Sequence, residues 1–568
     1  MLELSNVCYS LTAEGEEIDL LKSISFSVEP GSLVAIVGPS GCGKTTLLKT
    51  IAGFHEQTDG TIVWNGRCLM EEEDFEPTEV GYVPQFSIAY DLLTVEESVR
   101  GAVQLRVRLS SRKAVDERVE GILEQTGMLE LRDLRVAVLS GGQKRRLGLA
   151  MELASNPRLL LCDEVTSGLD LQSEREIVEL MHKVSRVGRR IVLNVTHSFG
   201  GIELMDTVLV LYRGRVVYHG TPEMLPHYFS VESVDRVYER LRDHPAVDWH
   251  EFWRKHCESY VPEQADTMDV PETRQVDGKL PEIPGFFRQL WVLLGRKRRL
   301  FTRDRGQLML HLALMLGFPL LVVIFAIDGV GQMPKSPLHG AETSLLEAIE
   351  MERQVIGEQM RIGGLISGLV MFQIILLTLT GANNSAREIA AERLVYEKEK
   401  FAGLRPMSYL ISKVIFLGVL VLAQSMWMSV FVDRFCGLPG PLVERTVLLV
   451  LVNGAMTGIC LGISALMRTA EQASLMSIYL VGFQLPLSGA VLALSDSLEH
   501  LTQPFISAYW SWAGQLELMK QTDFFVGIKR TVPTELVDQS AVSVLVLSAH
   551  LAAGIVIAWF GLRRTQWH

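Results

Sequence analysis

Short apolar runs alternate with stretches of helical periodicity along roughly the first 257 residues of the chain. Three of these runs, SLVAIVG, LLLCDE and RIVLNVTH, are almost continuously apolar and end in polar or glycine-containing turns. Such runs are typical of strands that are buried on both faces of a parallel sheet. The pattern therefore predicts an α/β domain over residues 1–257.

The pattern changes between residues 258 and 284, where four prolines interrupt a polar, acidic segment that we interpret as a linker. The next stretch, residues 285–305, places apolar residues at helical spacing among many arginines. We interpret this stretch as an amphipathic helix that lies along a membrane surface. An ordinary solvent-exposed basic helix is the alternative.

Six apolar stretches follow, each near the length of about 20 residues that a bilayer-crossing helix needs. They lie at about 308–327, 362–381, 410–432, 446–466, 475–494 and 542–561. Residues 285–568 are therefore predicted to form an all-α transmembrane domain with six spans.

The basic residues predict the orientation of these spans. Several arginines and lysines lie before span one and between spans two and three, Arg468 lies between spans four and five, and two arginines follow span six. With six crossings, all four places fall on one side of the membrane. The first 20 residues have no secretory-signal pattern, so we expect the first domain, and with it this side, in the cytosol. The protein is predicted to be a multi-pass protein of the plasma membrane.

Composition agrees with a chain that is part soluble and part embedded in a membrane. Hydrophobic residues make up 48% of the 568 residues, whereas 21% are still charged. The net charge of -12 argues against nucleic acid as a partner. The seven cysteines lack the paired short spacing of a zinc site, so reduced thiols are expected.

One glycine-rich turn has the pattern of a phosphate-binding loop. GPSGCGKT follows an apolar strand, so backbone N–H groups and a helix N-terminus can face phosphate oxygens. Lys44 is expected to reach the β- and γ-phosphates of ATP, and Thr45 to ligate Mg²⁺. A tight glycine turn without a ligand is the alternative. The other predicted nucleotide contacts in this loop are Gly38, Ser40, Gly41, Gly43 and Thr46.

Acidic residues directly follow the apolar run LLLC. Asp163, at the end of the predicted strand, is expected to hold Mg²⁺ directly or through water. Glu164 is expected to orient or deprotonate the attacking water. His197 ends another strand and is predicted to lie near the γ-phosphate. A solvated acidic pair and a structural histidine are the alternatives.

The sequence LSGGQ, residues 139–143, resembles the signature of ABC-type ATPases, and the phosphate loop, DE, SGLD and TH occur in the order of that family. The resemblance implies a P-loop NTPase fold for the first domain. It also implies that Gln85 contacts Mg²⁺ and water, and that Asp170 lies at a dimer seam. By the same resemblance Tyr9 stacks on adenine, although a place in the core is the alternative for this residue.

In ABC-type ATPases the signature turn closes over ATP that the phosphate loop of a second chain holds. The resemblance therefore implies a second half-transporter as partner, in a homodimer with two competent sites or in a heterodimer. The signature residues implied to contact ATP are Ser140, Gly141, Gly142 and Gln143.

An ATPase followed by six spans resembles the G-subfamily or White-type half-transporters, whose membrane domain is of the ABC-2 exporter class. Residues 390–413 resemble the loop after span two of this family, in which a coupling helix touches the ATPase. Glu392, Arg393 and Glu397 match that helix. Val165 replaces the proline that ABC ATPases usually have after the DE pair, and the predicted outer loops lack asparagine. These features favour a bacterial protein in a bacterial inner membrane.

Residues 483–494 resemble the span-five segment of this family that ends in a hydrophobic valve, with the small residues Ala490 and Val491 at the valve positions. Polar residues in apolar surroundings suggest a substrate cavity lined by Asn383, Asn384 and Gln484. Hydrogen bonding between helices is the alternative for these three residues.

The sequence thus predicts an ATP-driven exporter that works as a dimer of half-transporters. Its expected substrate is hydrophobic or amphipathic, such as a lipid, a sterol or a drug-like molecule, and leaves the cytosol or the inner leaflet. The alternative is a membrane ATPase that moves no substrate and transmits force to a partner protein. A soluble ATPase of DNA repair or translation shares the motifs of the first domain, but the six apolar stretches argue against it.

Overall fold

The computed structural model describes residues 1–13, 15–69, 75–86, 88–257, 260, 281–327, 330–334, 345–490, 495–532 and 539–564. The chain divides into two compact units. The first comprises Met1–Val292 together with Lys398–Leu404, and the second comprises Leu293–Glu397 and the chain from Arg405 onward. The predicted linker, residues 258–284, lies almost entirely outside the described residues.

Two sheets form the framework of the first unit. The strands are β1 (Leu2–Ala13), β2 (Glu16–Val28), β3 (Leu33–Val37), β4 (Asp59–Trp64), β5 (Arg67–Cys68), β6 (Val80–Val83), β7 (Leu159–Asp163), β8 (Ile191–Val195), β9 (Thr207–Tyr212) and β10 (Arg215–Gly220). A four-stranded antiparallel sheet has the order β2-β1-β4-β5. A six-stranded sheet has the order β10-β9-β3-β8-β7-β6 and is parallel except for the pair of β9 and β10.

The three apolar runs of the sequence are the central strands β3, β8 and β7, and every residue in them is buried. Because these strands are parallel, their carboxyl ends meet at one edge of the sheet, the place where α/β folds hold ligands. Helices complete the unit. They are α1 (Lys44–Ile51), α2 (Val95–Arg106), α3 (Arg112–Gln125), α4 (Gly141–Glu152), α5 (Leu171–Arg186), α6 (Leu225–Phe229), α7 (Val237–Arg240) and α8 (Ala246–His256). The predicted α/β class is confirmed.

Helices alone make up the described part of the second unit, which confirms the all-α prediction. Its first helix starts within the last residues of the first unit and matches the predicted amphipathic segment. The helices are α9 (Phe286–Arg303), α10 (Arg305–Ile324), α11 (Leu345–Ser385), α12 (Arg393–Phe401), α13 (Pro406–Cys436), α14 (Leu442–Leu466), α15 (Ala470–Gln484), α16 (Asp496–Thr502), α17 (Ser507–Glu517), α18 (Phe525–Thr531) and α19 (Ser540–Arg563).

Five helical stretches among the described residues are long and apolar enough to cross a membrane. They are α10, the stretch Ile349–Phe401, α13, α14 and α19, and they coincide with predicted spans one to four and span six. Helices α14 and α19 approach closely, because a Cβ atom on Gly554 would lie 2.3 Å from the backbone of Gly458. Small residues of this kind let membrane helices pack backbone against backbone.

Part of the fifth predicted span, residues 475–494, lies in α15, and the span itself stays a prediction. Helix α15 starts earlier and ends at Gln484 after 15 residues, fewer than the roughly 20 that a span needs. A 3-10 turn containing Pro486 follows, and Gly489 has a left-handed φ of +71°. Proline lacks the backbone N–H that an α-helix needs, and a left-handed glycine ends helices. Residues 491–494 lie outside the described residues.

Candidate nucleotide-binding site

The phosphate loop connects β3 to α1 and requires glycine at its first position. Gly38 has a φ of +156°, and a Cβ atom there would lie 2.2 Å from the carbonyl oxygen of Leu211. No side chain fits at that distance. Gly43 caps α1 with a φ of +104°. The backbone therefore takes the conformation that only glycine adopts without strain.

Lys44 is the first residue of α1 and is only 4% exposed. Its ammonium donates to the carbonyl oxygens of Gly38, at 2.8 Å, and Pro39, at 3.1 Å. Burial lowers the pKa of Lys44, while the nearby Cys42 and the carboxylates of Glu164 and Asp163 act in the opposite direction. The loop thus holds the Lys44 ammonium at the place where a bound phosphate group is expected.

Asp163 ends β7 and has two hydrogen-bond donors. Thr45 Oγ1 donates to one carboxylate oxygen at 2.9 Å, and the hydroxyl of Tyr82 donates to the other at 3.0 Å. Burial raises the pKa of Asp163, and these two hydrogen bonds lower it in part. Mg²⁺ prefers carboxylate, hydroxyl and water oxygens. The neighbouring oxygens of Thr45 and Asp163 therefore fit the predicted magnesium ligands.

The carboxylate of Glu164 lies between two predicted catalytic partners. Gln85 Nε2 donates to Oε2 at 2.8 Å, and His197 Nε2 lies 2.5 Å from Oε1. With the proton assigned to Nε2 of His197, Nδ1 accepts from Lys44 Nζ at 3.3 Å. Glu164 also has a left-handed φ of +49°. This chain of contacts orients a carboxylate as a general base requires.

The structure therefore brings six predicted residues together at one edge of the parallel sheet: Lys44, Thr45, Gln85, Asp163, Glu164 and His197. Sequence reasoning missed Tyr82. The only signal that could have identified it is its place in β6, which ends two residues before Gln85 and pairs with β7. Ser40 and Gly41 of the loop are exposed, and Thr46 is partly buried.

The signature turn forms the start of α4. The Ser140 hydroxyl accepts from the backbone N–H of Gln143 at 3.3 Å, and the Gln143 side chain accepts from the Ser140 N–H at 3.0 Å, which makes a capping box. Gly141 and Gly142 follow in the first turn. No hydrogen bond joins this turn to the phosphate loop within the described residues.

Two predicted nucleotide residues have other partners in the single chain. Asp170 caps α5, because its carboxylate accepts from the backbone N–H of Ser173 at 2.9 Å and from the Ser173 hydroxyl at 2.7 Å. The ring of Tyr9 stacks on His55 with a centroid distance of 4.9 Å. Adenine stacking on Tyr9 stays a prediction.

The three predicted coupling residues belong to the second unit, and two of them, Glu392 and Arg393, bind other residues of that unit. Glu392 accepts from Lys413 Nζ at 2.5 Å and from the Tyr409 hydroxyl at 3.2 Å. Arg393 donates to the carbonyl oxygen of Ala465, and Glu397 is buried. The segment that belongs to the first unit begins one residue later.

That segment, Lys398–Leu404, packs among residues of the first unit. Lys398 Nζ forms an ion pair of 2.9 Å with Glu152, and the ring of Phe401 packs against Phe54 with centroids 4.6 Å apart. Contact of Glu392, Arg393 and Glu397 with the ATPase stays a prediction.

Two of the five predicted cavity residues, Asn384 and Gln484, form hydrogen bonds between helices, and the cavity itself stays a prediction. Asn384 and Gln424 exchange hydrogen bonds of 2.8 and 3.2 Å between α11 and α13. Gln484 Oε1 accepts from the backbone N–H of Ala508 at 3.0 Å. Asn383 is exposed and Ala490 is partly buried, while Val491 lies outside the described residues.

Comparisons with known protein families agree with both units. Residues 21–167 match the model of the ABC transporter family, and residues 288–510 match the model of the ABC-2 type transporter family. The chain joins an ABC transporter domain to an ABC-2 type membrane domain. This order of domains is consistent with a half-transporter of the G type, as the sequence motifs predicted.

Relatives of this chain occur in bacteria and plants. An ATP-binding/permease ABC transporter of Mycobacterium tuberculosis is 29% identical over 519 residues, which cover 88% of this chain and 56% of the relative. ABC transporter G family member 4 of Arabidopsis thaliana is 30% identical over 310 residues, or 52% of each chain. The matches span little more than half the length of these two relatives.

Two further similarities concern the ABC transporter domain. The methionine import ATP-binding protein MetN of Haemophilus influenzae is 29% identical over 43% of this chain and 76% of its own. A solved structure of a dimeric ATP-binding cassette in a post-hydrolysis state, bound to ADP and phosphate, is 27% identical. It covers 39% of this chain and 98% of its own, with a TM-score of 0.36.

Proposed function

We propose that the protein is an ATP-driven exporter that works as a dimer of half-transporters. Its substrate is a hydrophobic or amphipathic molecule that leaves the cytosol or the inner leaflet of a bacterial inner membrane. The observation that carries the proposal is the carboxylate of Glu164, held between Gln85 and His197 beside the cation of Lys44.

Residues of the phosphate loop and of the sheet edge have different roles in ATP hydrolysis. Backbone N–H groups of the loop and the Lys44 ammonium bind and orient the phosphates of ATP. Thr45 and Asp163 would hold Mg²⁺, which neutralises phosphate charge when bound. Glu164 accepts a proton from the attacking water. Gln85 and His197 keep its carboxylate in place.

Exposed apolar side chains beside the signature turn support a second chain as partner. Val138 precedes the turn and is 69% exposed, and Leu171 follows Asp170 and is 81% exposed. Large apolar side chains next to exposed polar groups are typical of surfaces that bind another protein. We therefore assign the signature turn to the ATP held by the partner. A homodimer is the simplest arrangement, because the chain has every part of the site.

The segment Lys398–Leu404 is our candidate for the transmitting element, because it packs in the first unit and its first four residues are the last turn of α12, which begins in the second. Glu152, the residue that Lys398 binds, is the last residue of α4. The signature turn begins the same helix. A movement of α4 on ATP binding would therefore reach the chain that leads into α13.

Helix α9 is proposed to contact lipid. Its aromatic residues Phe287 and Trp291 lie one helical turn apart and are both exposed, and arginines follow in the same helix. Aromatic rings together with basic residues suit the interfacial region of an anionic membrane.

Reconstituted vesicles test the proposed function. The purified protein is inserted into liposomes of anionic and neutral phospholipid that contain fluorescent lipid analogues or a lipophilic dye. ATP with Mg²⁺ should drive net movement of at least one probe away from the face that carries the ATPase. The Glu164→Gln variant at equal density is the matched control. Hydrolysis by the unmutated protein without movement of any probe would favour the force-transmitting alternative. Absence of hydrolysis would refute the proposal.

A further inference from the structure

Tyr238 lies in the short helix α7, outside every nucleotide motif of the sequence, and reaches the candidate site. Its hydroxyl oxygen lies 3.3 Å from the backbone nitrogen of Gly38 and 3.3 Å from the carbonyl oxygen of His197. The Gly38 N–H donates to the hydroxyl, and the hydroxyl donates to His197. One side chain thus bridges the start of the phosphate loop and the loop that carries the histidine.

Packing fixes the position of this hydroxyl. The ring of Tyr238 lies against Phe199, with centroids 5.0 Å apart. Its neighbour Val237 and the nearby Leu241 are fully buried. Trp249 of α8 donates its indole N–H to the carbonyl oxygen of Leu241 at 3.3 Å. The helices after β10 therefore fix the position of the Tyr238 ring by packing. Loss of the hydroxyl alone would leave the ring in place.

The two bridged loops carry the parts of the proposed hydrolytic chain. Gly38 is the first residue of the phosphate loop, and its carbonyl oxygen accepts a hydrogen bond from the Lys44 ammonium. His197 contacts both Lys44 and Glu164 through its ring. The loops follow different strands, β3 and β8, and the hydroxyl of Tyr238 links their backbones. A change in their separation would move the ring of His197 relative to Glu164.

We propose that Tyr238 is a positioning residue for ATP hydrolysis, which holds Gly38 and His197 at the separation that aligns Glu164 with the attacking water. This inference rests on the ATPase activity proposed above. Burial raises the pKa of Tyr238 to about 12, so the hydroxyl is protonated at physiological pH. It can then accept one hydrogen bond and donate the other.

Tyr238→Phe removes the bridge and keeps the ring. Each lost hydrogen bond of about 0.5–1.5 kcal/mol corresponds to a factor of roughly 2–10 in rate. We expect the kcat of ATP hydrolysis by the full-length protein in detergent to fall about fivefold. The KM for ATP should stay within about twofold, because Lys44 and the loop N–H groups still bind the phosphates.

Tyr228→Phe is the matched control. Tyr228 packs against Trp249, the residue that donates to Leu241, and its hydroxyl has no hydrogen-bond partner among the described residues. This variant should keep the kcat of the unmutated protein, and its thermal unfolding midpoint should not fall, because it loses no hydrogen bond. A double-mutant cycle with His197→Ala adds a second readout. If Tyr238 acts through His197, Tyr238→Phe should have little further effect in that background.

The outcomes separate the two proposals. If the unmutated protein hydrolyses ATP and Tyr238→Phe keeps its full kcat, the bridge has no role and only this inference is overturned. A raised KM with an unchanged kcat, or an equal loss of kcat in Tyr228→Phe, also overturns it. If the unmutated protein does not hydrolyse ATP, the proposed function and the inference both fail.

Discussion

The ammonium of Lys398 lies 2.9 Å from a carboxylate oxygen of Glu152, and both side chains are almost completely buried. Arg106, the last residue of α2, binds the same carboxylate with two hydrogen bonds of 2.8 and 3.0 Å. Removing one member of such a cluster is destabilising, because the buried charge that remains has neither water nor an oppositely charged partner to compensate it. Glu152 therefore connects two helices of the first unit to the segment that contains the last turn of α12.

Replacing Lys398 by methionine should reduce the coupling between hydrolysis and transport more than hydrolysis itself. Arg106 still neutralises Glu152 in this variant, and methionine preserves apolar packing, so the fold should persist. We expect ATP hydrolysis in liposomes to stay within about twofold, while probe movement per ATP hydrolysed falls about fivefold. Lys398→Arg keeps the charge and serves as control. Equal probe movement per ATP in Lys398→Met and the unmutated protein would contradict the proposed path.

Glu152 also predicts a pH dependence of stability. Burial alone would raise its pKa, but the charges and hydrogen bonds of Arg106 and Lys398 lower the pKa to about 2. A glutamate whose pKa is lower in the folded than in the unfolded protein stabilises the fold at pH values above its ordinary pKa of about 4.5. This contribution is lost as the pH falls from about 4.5 to about 2.

Glu152→Gln measures this contribution directly. The difference in thermal unfolding midpoint between this variant and the unmutated protein should be large at pH 7 and become smaller below about pH 4.5. Glu124→Gln removes an exposed carboxylate and should cause no comparable difference at either pH. A difference for Glu152→Gln that stays constant from pH 7 to pH 3 would refute the assigned role.

The residues at the sheet edge could be predicted because their signal is local. Lys44 follows a glycine turn after an apolar run, and Asp163, Glu164 and His197 follow the ends of other apolar runs. Parallel strands then bring these ends together whatever the length of the connections. Gln85 came from the family resemblance, since nothing near it in the sequence indicates a contact with Glu164.

Contacts between distant segments could not be predicted from the sequence. The bridge from Tyr238 to Gly38 joins residues 200 positions apart, and no periodicity or motif marks it. Asn384 was recognised as an amide in apolar surroundings, but its partner Gln424 depends on how α11 meets α13. The end of α15 at Gln484 could not be predicted from hydropathy, because the sequence stays apolar across Pro486.

Replacing Asn194 by an apolar residue should make the sheet of the first unit more stable. Asn194 lies in β8 between Ala35 of β3 and Cys162 of β7, is fully buried, and its amide has no hydrogen-bond partner among the described residues. An unsatisfied buried polar group costs about 1–3 kcal/mol. Asn194→Val removes both polar atoms with a smaller change in volume than leucine and suits a β-strand, so it should raise the thermal unfolding midpoint of the full-length protein. A lowered midpoint would mean that the amide has a partner, such as a buried water molecule.

Glu164→Gln should separate ATP binding from hydrolysis. Glutamine keeps the shape and can still contact His197, but it cannot take a proton from water. We expect hydrolysis to fall by about 100-fold or more. ATP, rather than ADP, should remain with the protein through gel filtration with Mg²⁺. Gln85→Ala removes an orienting contact and keeps the base, so its loss should be smaller. Hydrolysis at the unmutated rate in Glu164→Gln would refute the assignment of the base.

Mixing two inactive chains tests whether each nucleotide is shared between two copies. Lys44→Ala removes the phosphate cation, and Ser140→Arg places a bulky side chain in the signature turn, so each homodimer should be inactive. If the turn acts on the partner's ATP, a dimer of the two variants contains one site with both defects and one site with neither. The mixed dimer is obtained by co-expression with two affinity tags and sequential purification. It should hydrolyse ATP, and its rate per intact site should be a large fraction of the rate per site in the unmutated protein.

The reverse arrangement is the control. A chain that carries both Lys44→Ala and Ser140→Arg, paired with an unmutated chain, forms two sites with one defect each and should remain inactive. If each turn instead served the nucleotide of its own chain, the two pairings would exchange their results. The single variants would then stay inactive when mixed, and the unmutated chain would keep its site beside the doubly mutated one. That exchanged pattern would refute the shared site, because it requires Ser140 to act on the ATP bound by Lys44 of the same chain.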